Sequence, residues 1–60
     1  MSEVIKAEIS NLQAQKAHMI AFKEESLSRQ WDSAELKASE KAYHEAQIAK
    51  VDAQIAELSK

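Results

Sequence analysis

Apolar residues recur along both halves of the chain at alternating intervals of four and three positions. This spacing places side chains along one side of an α-helix, where they can pack against a second helix. The two repeats are four residues out of phase, so a break or a stutter must lie between them. The positions of the repeat are Ile5, Ile9, Leu12, Lys16, Met19 and Lys23 in the first half, and Lys37, Lys41, His44, Ile48, Val51, Ile55 and Leu58 in the second.

The break is predicted within residues 26–33, a serine-rich stretch that is the poorest helix-forming part of the chain. Asp32 is the predicted N-cap of the following helix, because Glu35 stands three residues after it and completes a capping box. Trp31 precedes that cap, where it is placed to pack toward Leu36 as a hydrophobic staple. A turn followed by a capped helix explains this stretch better than an uninterrupted helix does.

The predicted fold is all-α, an antiparallel helical hairpin that self-associates into a four-helix bundle. A single domain over residues 1–60 contains a helix at about 2–27, a turn at about 28–32 and a helix at about 33–59. The alternative is one long helix in a coiled-coil dimer, because neither Gly nor Pro enforces the turn. Residues at seven-residue intervals favour that alternative by continuing through the predicted turn: Ile20, Leu27, Ala34, Lys41, Ile48 and Ile55.

Small residues form a second repeat on each helix, about 150° around the helix from the large apolar side chains. Each helix therefore has two faces that can pack, whereas a monomeric hairpin uses only one of them. The small residues are Ala7, Ser10, Ala14, Ala17 and Ala21 in the first half, and Ala42, Ala46, Ala49, Ala53 and Ala56 in the second. We predict a homo-oligomer, most simply a dimer of hairpins, whose self-association involves both repeats: Ile5, Ile9, Leu12, Met19, Ala42, Ala46, Ala49, Ala53, Ile48, Val51, Ile55 and Leu58.

Composition narrows the possible functions. The chain has no Gly, Pro or Cys, which argues against phosphate-cradling loops, strained nucleophile turns and cysteine-based metal or redox chemistry. Its net charge of −2 comes from interleaved acids and bases, so no polybasic surface for duplex nucleic acid is expected. The longest apolar run is Met19 to Phe22, so we expect a cytoplasmic protein that does not enter a membrane. Neither enzymatic activity nor a cofactor is predicted.

A lysine-rich seam is the first candidate binding site. Toward the predicted turn the residues of the helical repeat change from apolar to basic. If this seam faces inward, five basic side chains converge between the two helices. A small anion such as a nucleotide can neutralise them in a partly dry groove. In the alternative arrangement the helices rotate and the lysines extend outward beside acidic residues. The candidate ligand-binding residues are Lys16, Lys23, Lys37, Lys41 and His44.

Apolar side chains off the main seam are the second candidate site, for a protein partner. Trp and Tyr are common anchors of binding interfaces, although they are equally suited to closing the turn or packing between copies. The candidate partner-binding residues are Phe22, Trp31, Leu36 and Tyr43. A metal is not predicted, because the Glu-x-x-His motif of di-metal bundles is missing and the single pair Glu40 and His44 is typical of a surface hydrogen bond.

These patterns predict a small, non-enzymatic helical interaction protein that acts as a homo-oligomer. It is expected to bind a larger protein partner as an adaptor, an inhibitor or an assembly factor. One alternative is a protein that binds or sequesters a small anionic ligand through the lysine-rich seam. The other alternative is a purely structural coiled coil.

Overall fold

The computed structural model describes residues 2–60, which form two helices joined by a short connection. Helix α1 spans Glu3–Ser28 and helix α2 spans Ala34–Leu58. The helices pack against each other as an antiparallel hairpin. The predicted all-α hairpin is therefore confirmed, and the alternative of one continuous helix is wrong for this chain.

Polar side chains define the start of α1, and both backbone and side-chain donors bond the carbonyls at its end. Ser2 is the N-cap, and its Oγ accepts a hydrogen bond from the Ile5 N–H at 3.1 Å. Glu3 adds negative charge in the first turn, where the helix dipole is positive. At the other end Arg29 has extended backbone angles and donates its N–H to the carbonyl of Ser26. No residue within 2–60 has a positive φ, so the chain leaves this helix without needing glycine.

The connection between the helices, residues 29–33, is anchored by Trp31. The indole Nε1–H donates to the carbonyl oxygen of Ser26 at 3.0 Å, and the same oxygen accepts the N–H of Arg29. A carbonyl oxygen has two lone pairs, so one group in the last turn of α1 can hold both donors. This shared acceptor ties the reversing chain back to the helix that precedes it.

The start of α2 differs from the prediction by one residue. Ser33, and not Asp32, is the N-cap, with extended backbone angles and an Oγ that accepts the Leu36 N–H at 3.0 Å. Glu35 therefore falls at the second helical position, so the predicted capping box is wrong, and Trp31 lies one residue too early for the staple. The physical reason is that Ser and Asp cap equally well, and the sequence offers both in succession.

The interface between the helices contains little fully buried apolar surface. Val51, with 5% of its surface exposed, is the one buried hydrophobic residue of the described chain. The two other buried residues are polar, Ser26 at 4% and His44 at 8%. The remaining apolar members of the predicted seam are half-buried: Ile5, Ile9, Leu12, Met19, Ile48, Ile55 and Leu58.

The hairpin is long and thin. Its Cα atoms extend over 48 × 16 × 8 Å, and the radius of gyration is 14.4 Å, against about 10 Å for a compact domain of this length. The accessible surface is 4581 Å², whereas a compact monomer of this mass exposes about 3900 Å². Two paired helices thus leave much of their surface available for contact with other molecules.

Candidate functional site

The structure separates the five residues of the predicted lysine-rich seam. Lys16 Nζ lies 2.6 Å from Asp52 Oδ1, and Lys23 Nζ lies 3.8 Å from Glu45 Oε2. Both lysines therefore extend from α1 to acidic residues of α2. Their positive charge is already matched by carboxylates of the same chain, so these two lysines do not converge on an open anion site.

Lys37 and Lys41 are exposed, which contradicts the predicted convergence of lysines between the helices. Ser26 is hydrogen-bonded to Glu40, so Lys37, three residues earlier in α2, lies opposite the point where α1 ends. Glu40 takes the inward position that the repeat assigned to Lys41. For Lys37 the prediction was wrong because it continued the repeat past the end of the facing helix, and for Lys41 because Glu40 occupies the inward position.

A hydrogen-bonded cluster stands in place of that seam at the turn end of the interface. Glu40 Oε2 accepts the hydroxyl of Ser26 at 2.9 Å and lies 2.7 Å from His44 Nε2. A carboxylate has no proton to give, so the imidazole Nε2 is the donor in this pair. The cluster links α1 to α2 through the two buried polar residues of the described chain.

The cluster changes the acidity of its carboxyl group. The hydrogen bond from Ser26 and then that from His44 hold the pKa of Glu40 below its ordinary value of 4.5. Electrostatic interactions with His44 and Arg29 also lower the pKa of Glu40, whereas partial desolvation opposes them. Glu40 is therefore ionised at neutral pH and serves as the acceptor at the centre of the cluster.

The geometry of the cluster is that of a structural bond between helices. The Ser26 hydroxyl is directed to Glu40 and not to His44, and Ser26 is almost wholly buried. A serine nucleophile needs its proton taken by a base and its oxygen open to a substrate. Within residues 2–60 no three His, Asp or Glu side chains come together in a way that could hold a metal ion.

One side of the hairpin, here named the aromatic face, carries two adjoining grooves that share Asn11. The terminal groove, near the chain ends, is lined by Glu8, Asn11, Leu12, Gln54, Glu57 and Leu58. The aromatic groove, nearer the turn, has a lining that includes Asn11, His18, Met19, Phe22, Tyr43 and Gln47. Phe22 and Tyr43 lie on either side of the His44 ring, with centroid distances of 5.3 and 5.6 Å.

The opposite side of the hairpin, here named the salt-bridged face, has different chemistry. A groove there is lined by Lys16, Lys23, Glu45 and Asp52 together with Ile20, Ile48 and Ala49. The two ion pairs between the helices, Lys16 with Asp52 and Lys23 with Glu45, both lie on this face. The charged ends of the lysines and acids cover the aliphatic side chains of the groove. This is the alternative arrangement considered for the lysine-rich seam, in which the lysines extend outward beside acidic residues.

The predicted small-residue repeats lie away from the contact between α1 and α2. All ten of their residues are exposed, including Ala42, Ala46, Ala49 and Ala53 of the predicted self-association set. The large apolar members of that set lie between the two helices of one chain. The exposed alanine repeats, here named the alanine faces, are therefore free in a single hairpin.

The four predicted partner-binding residues do not form one patch. Phe22 and Tyr43 line the aromatic groove and are more than half exposed. Trp31 is half-buried at the connection, where its indole is bonded to Ser26 and lines a shallow depression with Leu36. Trp31 thus closes the turn, and its main role in this fold is structural.

Ser26 and Glu40 are the site residues that sequence reasoning missed. The pairing of Glu40 with His44 was visible as a spacing of four residues on one helix. Nothing in the sequence indicated that Ser26 would join them, because it lies 14 residues away on the other helix. Only the register of the two helices brings the three side chains together.

Comparisons with protein-family models, with curated proteins and with solved structures found no match to this chain. The class of protein is therefore defined by the fold and its surfaces alone, as a helical hairpin with an aromatic face, a salt-bridged face and two alanine faces. Neither helix of the described residues combines the length and the apolar character required to cross a bilayer.

Proposed function

We propose that this chain is a non-enzymatic helical interaction protein that works as a homo-oligomer, most simply a dimer, and binds a larger protein partner. An adaptor, an inhibitor and an assembly factor are the roles that such a protein can fill with its helix faces. A cytoplasmic location and a four-helix bundle as the assembled form are parts of the same proposal.

The observation that carries this proposal is the near absence of a core in the single hairpin. A domain of about 60 residues is marginally stable even when compact, and this one keeps a single apolar residue buried within the described chain. Burial of apolar surface is the main favourable term in folding and in association. A second hairpin would supply the burial that one hairpin lacks.

The alternatives have less support. Binding of an anion by Lys16 and Lys23 would require breaking their ion pairs with Asp52 and Glu45, and Lys37 and Lys41 stand apart from them. Catalysis would need an open nucleophile, whereas Ser26 is buried and hydrogen-bonded to Glu40. A purely structural coiled coil would give no use to the exposed alanine repeats that both helices carry.

Sedimentation velocity and equilibrium between about 1 and 100 μM test the proposal, with helix content followed by circular dichroism over the same range. We expect a dimer or a higher oligomer whose helix content and melting temperature rise with concentration, because association and folding are linked. A fully helical monomer at micromolar concentration would contradict self-association. Affinity capture with the oligomeric chain, followed by reconstitution with the purified captured protein, then tests the larger partner.

A further inference from the structure

The four large apolar side chains that are most exposed lie on one face of the hairpin. Val4, Phe22, Leu36 and Tyr43 are between 54% and 69% exposed. Phe22 and Tyr43 line the aromatic groove. Val4 lies seven residues before Asn11 and Leu36 seven before Tyr43, a spacing that places each on the same side of its helix as these groove residues. Chance exposure would scatter such residues around both helices.

We propose that the aromatic face is the docking surface for a second copy of this chain, with the two hairpins running in opposite directions. This inference rests on the self-association proposed above and names the surface that mediates it. Apart from Ala14, which lines the aromatic groove, the alanine faces then remain outside the dimer, where they are available to a larger protein.

Shape is the first argument for a second copy. Aromatic side chains project from the turn half of the face, and the apolar terminal groove lies in the other half of the same face. A twofold axis across the middle of the face brings the projecting half of each copy onto the grooved half of the other. An interface of this kind uses one patch twice, which is the requirement of a symmetric dimer.

Area is the second argument. The Cα atoms of the hairpin cover 48 × 16 Å in projection, a footprint of about 770 Å². A stable interface of standard size buries about 800 Å² on each partner. The area of one whole face of this chain is therefore close to the area that a stable dimer requires. The area of one helix edge or of one end of the hairpin is too small.

Charge determines the direction of the two copies. The terminal groove carries Glu8, for which the described residues show no ion pair, and Glu57, whose Oε2 lies 3.0 Å from Lys60 Nζ. If the copies ran in the same direction, the two Glu8 carboxylates would approach each other at one end of the interface, which is unfavourable at short distances. In the opposite direction each Glu8 lies over the half that bears Phe22 and Tyr43, where the phenol O–H of Tyr43 is a suitable donor.

The other faces are less suited to this contact. On the salt-bridged face, Lys16, Asp52, Lys23 and Glu45 would have to be desolvated when a second copy covered them. The alanine faces offer close approach of backbones but few large side chains to bury. Only the aromatic face combines exposed aromatic rings with grooves that can receive them.

Two matched variants test the choice of face. Tyr43→Glu and Ala42→Glu introduce the same residue at neighbouring positions of α2, about 100° apart around the helix, on the aromatic face and on an alanine face. Loss of an aromatic anchor at the centre of an interface weakens binding by about 30-fold or more. We expect Tyr43→Glu to raise the dimer dissociation constant by at least that factor, and Ala42→Glu to change it by less than about threefold.

Sedimentation equilibrium, with circular dichroism at matched concentrations, gives the readout. Dissociation by Ala42→Glu but not by Tyr43→Glu, or equal effects of both, would overturn the choice of face and leave the proposed self-association intact. If the wild-type chain is a folded monomer, the proposed self-association itself is wrong. The two failures are therefore distinguishable.

Distance measurements with labels placed outside the two grooves test the same inference without relying on a disruptive variant. The chain has no cysteine, so one introduced cysteine carries one spin label. Ala46 lies near the middle of the hairpin and lines neither groove. From the rise of 1.5 Å per residue we expect labels at Ala46→Cys to lie within about 20 Å of each other across the dimer, and labels at Lys60→Cys to be separated by more than about 25 Å. Long distances between Ala46 labels would overturn the choice of face, and short distances between Lys60 labels would overturn the antiparallel direction.

Discussion

The two halves of the helix interface are held together by different chemistry. Near the chain termini the inward side chains are aliphatic: Val51 is buried, and Ile9, Ile55 and Leu58 are half-buried. Near the turn the buried groups are polar, and the carboxylate of Glu40 accepts hydrogen bonds from both helices. Aliphatic contacts tolerate sliding and rotation of one helix on the other, whereas hydrogen bonds have defined lengths and directions.

This difference assigns separate roles to the two halves. The terminal half contributes apolar burial, which is proportional to area and largely independent of direction. The turn half contributes register, because Ser26 and His44 reach the same oxygen of Glu40 only when the helices are aligned. Hydrogen bonds add little net stability but are costly to leave unmade once their groups are buried. The polar half therefore specifies which of several possible alignments is adopted.

The largest effect is expected from weakening the aliphatic half at its one buried residue. Val51→Ala removes two methyl groups from a site that is 5% exposed and should lower the free energy of unfolding by about 2 kcal/mol. Urea unfolding at one fixed protein concentration measures this loss. Gln13→Ala, on an exposed position of α1, is the control and should change stability by less than about 0.5 kcal/mol. A loss below about 0.5 kcal/mol for Val51→Ala would show that this half does not carry the core.

A smaller effect is expected at the start of α2, which positions the polar half. Ser33→Ala removes the acceptor for the Leu36 N–H and should lower the free energy of unfolding by about 1 kcal/mol. Asp32→Ala is the matched control, since this residue is not the N-cap in the structure, and its effect should stay below about 0.5 kcal/mol. If thermal and urea unfolding showed a larger loss of stability for Asp32→Ala than for Ser33→Ala, Asp32 would be the N-cap, as the sequence predicted.

The smallest effect is expected from protonation of Glu40 in the polar half. Because the pKa of Glu40 is lowered in the folded state, the unfolded chain binds a proton at this residue more readily. The contribution is fully present above the ordinary value of 4.5 and is lost as the pH falls through the lower folded-state pKa.

Glu40→Gln should reduce this pH dependence, whereas Val51→Ala should leave it unchanged, since the valine contacts no titrating group of the cluster. Melting temperatures at a series of pH values from neutral to about 3 make the comparison, a range that brackets the Glu titration. Equal pH profiles for wild type and Glu40→Gln would contradict the role of the carboxylate in the turn half.

Much of the fold could be predicted because it depends on local spacing. The repeat of four and three residues identified the faces of α1 and α2 that meet, and the change of phase located the break. Prediction was wrong at Asp32, where two equivalent capping residues follow each other, and at Lys37, where the facing helix has already ended. Both errors concern where a helix begins or ends, which periodicity within a helix does not specify.

The candidate surfaces were predictable only in part. Phe22, Leu36 and Tyr43 were singled out by residue type and by their distance from the main seam. Trp31 was grouped with them, but in the structure its indole N–H bonds the Ser26 carbonyl and closes the turn. A one-dimensional sequence cannot separate these roles, because an exposed aromatic ring and one that closes a turn have the same composition and similar neighbours.

The sequence by itself determined the two helices, the sides on which they meet and the absence of glycine, proline and cysteine chemistry, since all of these follow from the identity and spacing of neighbouring residues. The tertiary structure decided the register of α1 against α2. That register brings Ser26 to Glu40, moves Lys37 and Lys41 into solvent, and collects the exposed aromatic side chains on one face. The physical reason is that contacts between helices depend on the length and direction of the turn and on hydrogen bonds between distant residues, which no local repeat encodes.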